Sequence, residues 1–263
     1  MVYTFHSELH PMLWGTENWL LPPEEIAAGF PLLIKFIDPH LDLSIQVHPT
    51  DAYAKTHGLP HGKTEMWVVT DATPTAFLYS GFDSPLTKEQ YAAKVADGTI
   101  AETLRRYIPK RGDCFYLPAG RIHALGAGAQ VCEIQQNCNI TYRIFDYNRR
   151  DAQGNLRELH IQQAAECIDF AVQEDYQTHY EAKPNVPAQL VECPYFTTNM
   201  IDVQGSVSRE PAGERCVLVC MEGQAQLQTA DTKQIIDAQT AVLLTDCKSY
   251  VLNGQARFLE VVY

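Results

Sequence analysis

The stretch of sequence that decides the fold is Gln46-Val47-His48-Pro49, which lies in a run of alternating apolar and polar residues. Residues i and i+2 of an extended strand share a face, so its glutamine and histidine are predicted to point the same way. A second such pair, Lys63 and Glu65, follows, and a lone His123 stands after a Pro-Ala-Gly turn. Neutral imidazole and oxygen donors in this pattern suit one divalent metal, either zinc or a neighbouring transition metal.

Short segments rich in β-branched and aromatic residues surround this run and are separated by glycine- and proline-containing turn signals. The predicted strands are residues 30–37, 43–48, 66–69, 76–79, 114–117, 130–135 and 140–145, then 189–191, 196–201, 216–221, 225–228, 241–244, 250–252 and 258–262. The pairs Glu222-Gly223 and Asn253-Gly254 are read as hairpin turns. Many short strands at this spacing predict a mainly β fold of the jelly-roll or barrel type.

Two domains are expected, residues 1–183 and residues 184–263. The first is interrupted by a helical insert at about residues 83–108, with helices over 87–96 and 100–107, and ends in a connector at about residues 151–183. A further short helix is predicted from Thr50 to Thr56, and residues 151–155 are read as a turn. Residues 184–263 contain no histidine, so the metal site is expected in the first domain.

The composition and net charge of the chain limit which classes of partner it is expected to bind. The chain has 263 residues and a formal net charge of -12, from 20 basic and 32 acidic residues. This charge argues against nucleic-acid or acidic-membrane partners, so an anionic substrate would need local positive charge. The mixed, polar start and the lack of a long apolar run predict a cytoplasmic protein without a signal peptide. The eight cysteines lack zinc-ribbon spacing and are expected to be reduced.

These motifs together resemble the short bacterial type I mannose-6-phosphate isomerases, which are zinc-dependent members of the cupin superfamily. The resemblance rests on residues 30–38, 43–49, 62–67, 117–125, 133–137 and 140–147, within about residues 11–150. It implies two cupin-type jelly-roll barrels, of which the first is catalytic and the second has no metal site. It also implies one zinc ion per chain, held by Gln46, His48, Glu65 and His123. From the residues alone, Gln46 is either a direct ligand or an amide that hydrogen-bonds behind the ligands.

The resemblance also implies that Arg143 is an active-site arginine and that Lys63 and Glu133 lie in the pocket, which makes these three the catalytic candidates. Each has an alternative interpretation. Arg143 could bind the enediolate or the sugar phosphate, or it could form a salt bridge with Asp146. Lys63 could be a base whose pKa is lowered by a nearby metal cation and by burial, or a phosphate anchor. Glu133 could be a base or a buried, hydrogen-bonded carboxylate.

Substrate contacts are expected from Ser44, Lys63, Asn139 and Arg143. Asn139, Thr141 and Arg143 alternate with apolar residues and are predicted to share one face of a strand. The chain departs from the family at Asn139, since the family usually has an aspartate there that is one candidate for proton transfer. Without that carboxylate, the role shifts to Glu133 or Lys63.

The predicted function is reversible conversion of mannose 6-phosphate to fructose 6-phosphate through an enediol or enediolate, with the metal as a Lewis acid. The alternative is a metal-containing cupin that binds a sugar phosphate but has lost catalysis, with Asn139 as the sign of that loss. An iron-dependent oxygenase is disfavoured, because such cupin sites usually carry a His-x-His pair and this chain has Gln46 at the first position.

Overall fold

A computed structural model describes residues 1–150, 153–211, 213 and 215–263 of the chain. The predicted turn at 151–155 therefore lies partly outside the described residues. The protein is mainly β, which confirms the fold class predicted from the sequence. None of the described helices is long and apolar enough to cross a membrane.

The strands follow one another along the chain with few helices between them. In chain order they are β1 (Val2–Thr4), β2 (His6–Met12), β3 (Gly15–Leu21), β4 (Leu32–Pro39), β5 (Ile45–Val47), β6 (Glu65–Ala72), β7 (Leu78–Phe82), β8 (Leu104–Tyr107), β9 (Cys114–Leu117), β10 (His123–Leu125), β11 (Ala129–Gln136), β12 (Tyr142–Phe145), β13 (Gln177–Thr178), β14 (Ala188–Glu192), β15 (Thr197–Arg209), β16 (Arg215–Gln228), β17 (Lys233–Asp237), β18 (Thr240–Thr245) and β19 (Tyr250–Val262). The α-helices are α1 (Glu24–Ala27), α2 (Asp51–Thr56), α3 (Lys88–Ala96) and α4 (Ile161–Cys167), and a 3-10 helix covers Ile100–Thr103.

The chain divides into two compact units. The terminal unit comprises residues 1–9, 18–34 and 178–263, and the central unit comprises residues 10–17 and 35–177. This division differs from the expected one at residues 1–9, 18–34 and 178–183, which belong with the C-terminal part of the chain. For residues 1–9 the reason is a long-range pairing, since β1 adds to β18 with Val2 opposite Leu244. Local sequence patterns do not reveal a strand partner that far away.

In the central unit, a five-stranded sheet has the strand order β12-β5-β10-β7-β8. A second sheet contains the neighbouring strands β9, β6 and β11, which pair antiparallel. Two clusters of buried apolar side chains fill this unit. The larger members are Phe82, Tyr91, Ile100, Ile122 and Ile144 in one cluster, and Trp14, Trp67, Phe115, Leu117 and Leu125 in the other.

The helical insert is shorter than expected. Helix α3 begins after Thr87, whose side chain accepts from the backbone N–H of Gln90 while the Gln90 side chain accepts from the backbone of Thr87. This reciprocal capping box fixes the predicted start. The second predicted helix, 100–107, is wrong beyond residue 103, because residues 104–107 form β8 and pair with β7 at the edge of the five-stranded sheet. The connector also holds α4, which the sequence analysis did not predict.

The terminal unit is built on one sheet of order β1-β18-β16-β19-β15-β14, with β17 paired to β16. The two hairpins predicted at Glu222-Gly223 and Asn253-Gly254 are wrong, because both pairs lie inside long strands. Gly223 has a φ of 75° and pairs with Ala256, just after a β-bulge between Cys220 and Glu222, so it continues the strand and does not form a turn. A Cβ at Gly223 or Gly254 would collide with a carbonyl oxygen of the neighbouring strand, which explains the glycines.

A buried carboxylate ties the strands of the terminal unit together. Glu260 on β19 is 1% exposed and accepts from Arg209 Nη2 at 2.7 Å and from Asn199 Nδ2 at 3.1 Å. The Tyr250 hydroxyl also donates to it. By contrast, Arg257 and Glu222 form a half-exposed pair 4.0 Å apart.

We expect Arg209→Met to lower the free energy of unfolding by about 3 kcal/mol, because it leaves a buried charge without its cation. Arg257→Met is the matched control and should change it by less than about 1 kcal/mol, as is usual for exposed pairs. Urea unfolding of the two variants measures the difference. Equal, small losses would show that Arg209 does not stabilise the buried carboxylate.

Candidate metal centre

The predicted metal-binding residues come from strands that pair in register. Gln46 on β5 lies opposite His123 on β10, and Arg143 on β12 lies opposite Gln46 on its other side. Directly paired residues of an antiparallel sheet point to the same face, so these three side chains project together. Glu65 is the first residue of β6 and pairs with Gln135 on β11. Two sheets thus supply the side chains of one site.

The carboxylate of Glu65 lies between two imidazoles. Its Oε1 is 3.3 Å from Nε2 of His123, and its Oε2 is 3.3 Å from Nε2 of His48. One donor atom from each of the three residues lies within 4.8 Å of the others, and all three side chains are buried. The two imidazole ring centres are 4.9 Å apart. The structure therefore brings His48, Glu65 and His123 together as a compact cluster.

Backbone carbonyls fix which nitrogen of each histidine faces the cluster. Nδ1 of His48 lies 3.0 Å from the carbonyl oxygen of Ile140, and Nδ1 of His123 lies 2.8 Å from that of Arg121. A carbonyl oxygen only accepts, so each Nδ1 carries a hydrogen, and the neutral form of each ring turns an Nε2 lone pair towards Glu65. This is the usual way in which a protein orients histidine ligands of a metal.

The protonation of this cluster is set by burial and by the charge of Lys63. Neither oxygen of Glu65 receives a hydrogen bond of good geometry, and both face imidazole lone pairs. Burial and the charge of Lys63 lower the pKa of His48 to about 3, so its imidazole is neutral at physiological pH. Burial alone would raise the pKa of Glu65, but the charge of Lys63 contributes most against it, and that pKa lies well below the usual range. A carboxylate and two neutral imidazoles around one point fit a bound zinc ion or a similar transition metal.

Gln46 joins the cluster through its amide. Its Nε2 lies 3.2 Å from Nε2 of His123, and its Oε1 lies 3.4 Å from the hydroxyl of Ser44, which donates to it. A half-turn of the amide would exchange these two atoms and direct the oxygen towards the cluster. The geometry thus accommodates both interpretations of Gln46. Ser44 is buried and contacts Gln46, so it supports this amide.

Lys63 contacts the cluster directly. Its Nζ lies 3.0 Å from Oε2 of Glu65 and 3.2 Å from Nε2 of His48. Burial would lower the pKa of Lys63, but the carboxylates of Glu65 and Glu133 outweigh burial and raise it. The lowered pKa expected from the sequence depends on a metal cation beside Lys63, so it stays a prediction for the metal-bound protein.

Glu133 belongs to a second buried polar cluster that the sequence analysis missed. Its Oε2 accepts from Nε1 of Trp67 at 2.8 Å, and its Oε1 lies 3.3 Å from Nζ of Lys35. Lys35 also lies 3.5 Å from Glu17. This geometry matches the buried, hydrogen-bonded carboxylate considered as an alternative for Glu133. The available signal was Lys35 itself, a single charged residue inside the apolar run 32–37.

Arg143 carries a half-buried guanidinium near the same site. Its Nε is buried without a hydrogen-bond partner. The carboxylate of Asp146 instead pairs with Arg149 and with Arg157, so the structure does not contain the salt bridge considered as an alternative for Arg143. Burial and, after it, the charge of Arg157 lower the pKa of Arg143. A guanidinium in this situation is a ready partner for an anion.

Asn139 lies outside the strand in which it was expected. Strand β12 begins at Tyr142, so the predicted strand face shared by Asn139, Thr141 and Arg143 is wrong for its first two members. Asn139 is exposed and follows Cys138, which is buried. All eight cysteines are free thiols.

Comparison with known proteins identifies relatives over most of the chain, although no family model matches it. The chain is 38% identical over 201 residues to mannose-6-phosphate isomerase ManA of Bacillus subtilis (strain 168). That match covers 75% of this chain and 64% of ManA. It is 34% identical over 238 residues to mannose-6-phosphate isomerase of Streptococcus mutans serotype c. That match covers 90% of this chain and 74% of the Streptococcus mutans protein. The matched region thus spans less than two thirds of ManA.

Solved structures share the fold. The crystal structure of mannose 6-phosphate isomerase from Bacillus subtilis superposes with a TM-score of 0.89 and 24% identity, covering 100% of this chain and 99% of that one. A zinc-bound mannose 6-phosphate isomerase superposes with a TM-score of 0.75 and 13% identity, covering 99% of this chain and 98% of that one. At these identities the likeness concerns the fold.

We expect Glu65→Gln to abolish tight zinc binding, because it keeps the shape of the side chain but removes the only carboxylate of the cluster. Glu102→Gln is the matched control, since the side chain of Glu102 is 67% exposed and pairs with Lys94. Metal analysis after zinc loading and gel filtration measures the zinc retained by each variant. Equal retention by both would contradict a metal centre at Glu65.

Proposed function

This chain belongs to the mannose-6-phosphate isomerase family, and we propose that it interconverts mannose 6-phosphate and fructose 6-phosphate with one zinc ion per chain. The observation that carries the proposal is the buried carboxylate of Glu65, each of whose oxygens lies 3.3 Å from an imidazole Nε2, while a backbone carbonyl orients each of the two rings. The zinc-bound relative of the same fold supports the choice of metal. The chain has a formal net charge of -12, so a small anionic substrate would have to bind through the positive side chains of the site, Lys63 and Arg143.

We assign metal binding to His48, Glu65 and His123, with the amide oxygen of Gln46 as the fourth donor. Zinc bound there would act as a Lewis acid towards the negative charge that develops on the sugar oxygens. One carboxylate among neutral donors leaves the site with a net charge of about +1, which favours that role. The carbonyls behind the two histidines keep both rings turned towards the site.

Isomerisation moves one proton between C1 and C2 of the sugar and another between O1 and O2. Lys63 and Glu133 are our candidates for these transfers. Lys63 is an N–H donor that contacts the metal-binding residues, so it suits the protons on the sugar oxygens. Glu133 is an acceptor whose position is fixed by Trp67 and Lys35, so it suits the proton on carbon.

We assign Arg143 to the substrate phosphate. Its guanidinium is half-buried, has no carboxylate partner among the described residues and feels the repulsion of Arg157. Arginine presents a planar fork of N–H donors that matches a phosphate in a bidentate contact. A bound dianionic phosphate would satisfy the buried Nε and offset the repulsion between the two guanidiniums.

The second candidate is a metal-containing protein that binds a sugar phosphate without converting it. Asn139 favours this reading, because it stands where the family usually has an aspartate. Asn139 is exposed and lies outside β12, three residues before its first residue.

We expect the purified protein to convert mannose 6-phosphate to fructose 6-phosphate, to lose this activity on chelation and to recover it when zinc is returned. A coupled assay of fructose 6-phosphate measures the three states, and Glu65→Gln should stay inactive in all of them. Full turnover by metal-free protein would contradict the role of zinc. Sugar-phosphate binding without turnover would favour the second candidate, and turnover gained by Asn139→Asp would then identify the disabling residue.

A further inference from the structure

One row of side chains crosses four neighbouring strands of the five-stranded sheet. Arg143 on β12 pairs with Gln46 on β5, Gln46 pairs with His123 on β10, and His123 pairs with Ser80 on β7. Paired residues of an antiparallel sheet share a face, so Ser80 points to the same side as the metal-binding residues. The sequence analysis did not single out Ser80, because only the strand register brings it beside His123.

The hydroxyl of Ser80 is buried and has no hydrogen-bond partner among the described residues. Ser80 is 0% exposed. Most buried polar atoms in folded proteins are paired, so each exception calls for an explanation. A hydroxyl beside a binding site is explained if a ligand supplies the missing partner.

The backbone around Ser80 is held in place. Gly81 has a φ of 70°, and its N–H donates to the carbonyl oxygen of Ile122 at 2.8 Å. The ring of Tyr176 packs where a Cβ of Gly81 would be, and the Tyr176 hydroxyl donates to the carbonyl oxygen of Phe82 at 3.0 Å. The hydroxyl of Ser80 is therefore presented from a fixed position, as a contact that orients a ligand should be.

The row also has a direction. Arg143 and Ser80 lie at its two ends, three strand spacings or roughly 14 Å apart at ~4.8 Å per strand. A hexose 6-phosphate likewise has two different ends, with the phosphate on C6 and the reacting carbons C1 and C2 at the other end. If the phosphate lies at Arg143, the reacting carbons extend along the row towards His123 and Ser80.

We propose that Ser80 is a substrate-positioning residue whose hydroxyl hydrogen-bonds an oxygen on C1 or C2 of the sugar phosphate. This proposal rests on the proposed function, because it places that substrate in the site. A serine hydroxyl can donate one hydrogen bond and accept others, so it can follow an oxygen that changes from carbonyl to hydroxyl during isomerisation. Ser80 would hold the reacting end of the sugar phosphate, C1 and C2, and Arg143 would hold its phosphate.

Ser80→Ala separates this role from a structural one, because the two predict opposite effects. Removing an unpaired buried hydroxyl should leave thermal stability unchanged or raise it. Removing a contact to the reacting end of the substrate should lower kcat by about 10-fold or more, with a smaller change in KM. Thr198→Val is the matched control, since Thr198 is also 0% exposed with an unpaired hydroxyl but lies in the terminal unit.

The experiment compares wild type, Ser80→Ala and Thr198→Val after zinc loading, by kcat, KM, melting temperature and zinc content. We expect Ser80→Ala to lose turnover with zinc content and melting temperature kept, and Thr198→Val to keep turnover. A Ser80→Ala variant within twofold of wild type in kcat and KM would overturn the proposal while leaving the proposed function intact. Ser80→Cys, which keeps the shape but bonds weakly, replaces Ser80→Ala if the latter does not fold.

Binding separates this failure from a failure of the proposed function. Affinity for mannose 6-phosphate is measured by calorimetry on each zinc-loaded protein. If wild type binds the sugar phosphate but does not turn it over, the isomerase assignment fails, and the Ser80 contact still predicts measurably weaker binding by Ser80→Ala. Equal affinity of wild type and Ser80→Ala in that case would overturn the contact as well.

Discussion

The carboxylate of Glu65 is the constraint on which the rest of the site depends. It is fully buried, its pKa is held well below the usual range, and its two oxygens face imidazole nitrogens that present lone pairs. Lys63 supplies one nearby charge, but neither oxygen receives a hydrogen bond of good geometry. Burying an ionised carboxylate is unfavourable unless a cation or several donors compensate it. The proposed divalent metal between Glu65, His48 and His123 would remove the conflict and would explain why these three residues converge.

Strand pairing in two sheets brings the side chains of the site together. Strand pairing places Arg143, Gln46, His123 and Ser80 in one row, while Glu65 begins a strand of the other sheet. Backbone carbonyls then select the tautomer of each histidine, so the metal-binding lone pairs are set by main-chain atoms and not by mobile side chains. The same row separates the guanidinium of Arg143 from the hydroxyl of Ser80, so the proposed sugar phosphate would meet a cation at one end and a neutral group at the other. The proposed metal centre and the proposed substrate contacts thus depend on one strand register.

The sequence predicted those parts of the structure that depend on short-range periodicity. Gln46 and His48 are two residues apart in an extended run, so their joint orientation follows from the strand repeat. Ser80, Lys35 and Trp67 could not be found in this way, because their importance depends on which distant strands become neighbours. Gly223 shows the opposite error, since a glycine predicted to form a turn lies paired inside a long strand, just after a β-bulge. The pairing of β1 with β18 was likewise invisible to local patterns.

The most direct test of the metal centre is zinc K-edge X-ray absorption of the zinc-loaded protein. Binding by His48, Glu65, His123 and Gln46 predicts only nitrogen and oxygen neighbours at about 2.0–2.2 Å, with the multiple scattering of imidazole rings. The eight free cysteines offer the competing ligands, which would place sulfur at about 2.3 Å. Sulfur neighbours, or a spectrum without imidazole scattering, would contradict a metal centre built around Glu65.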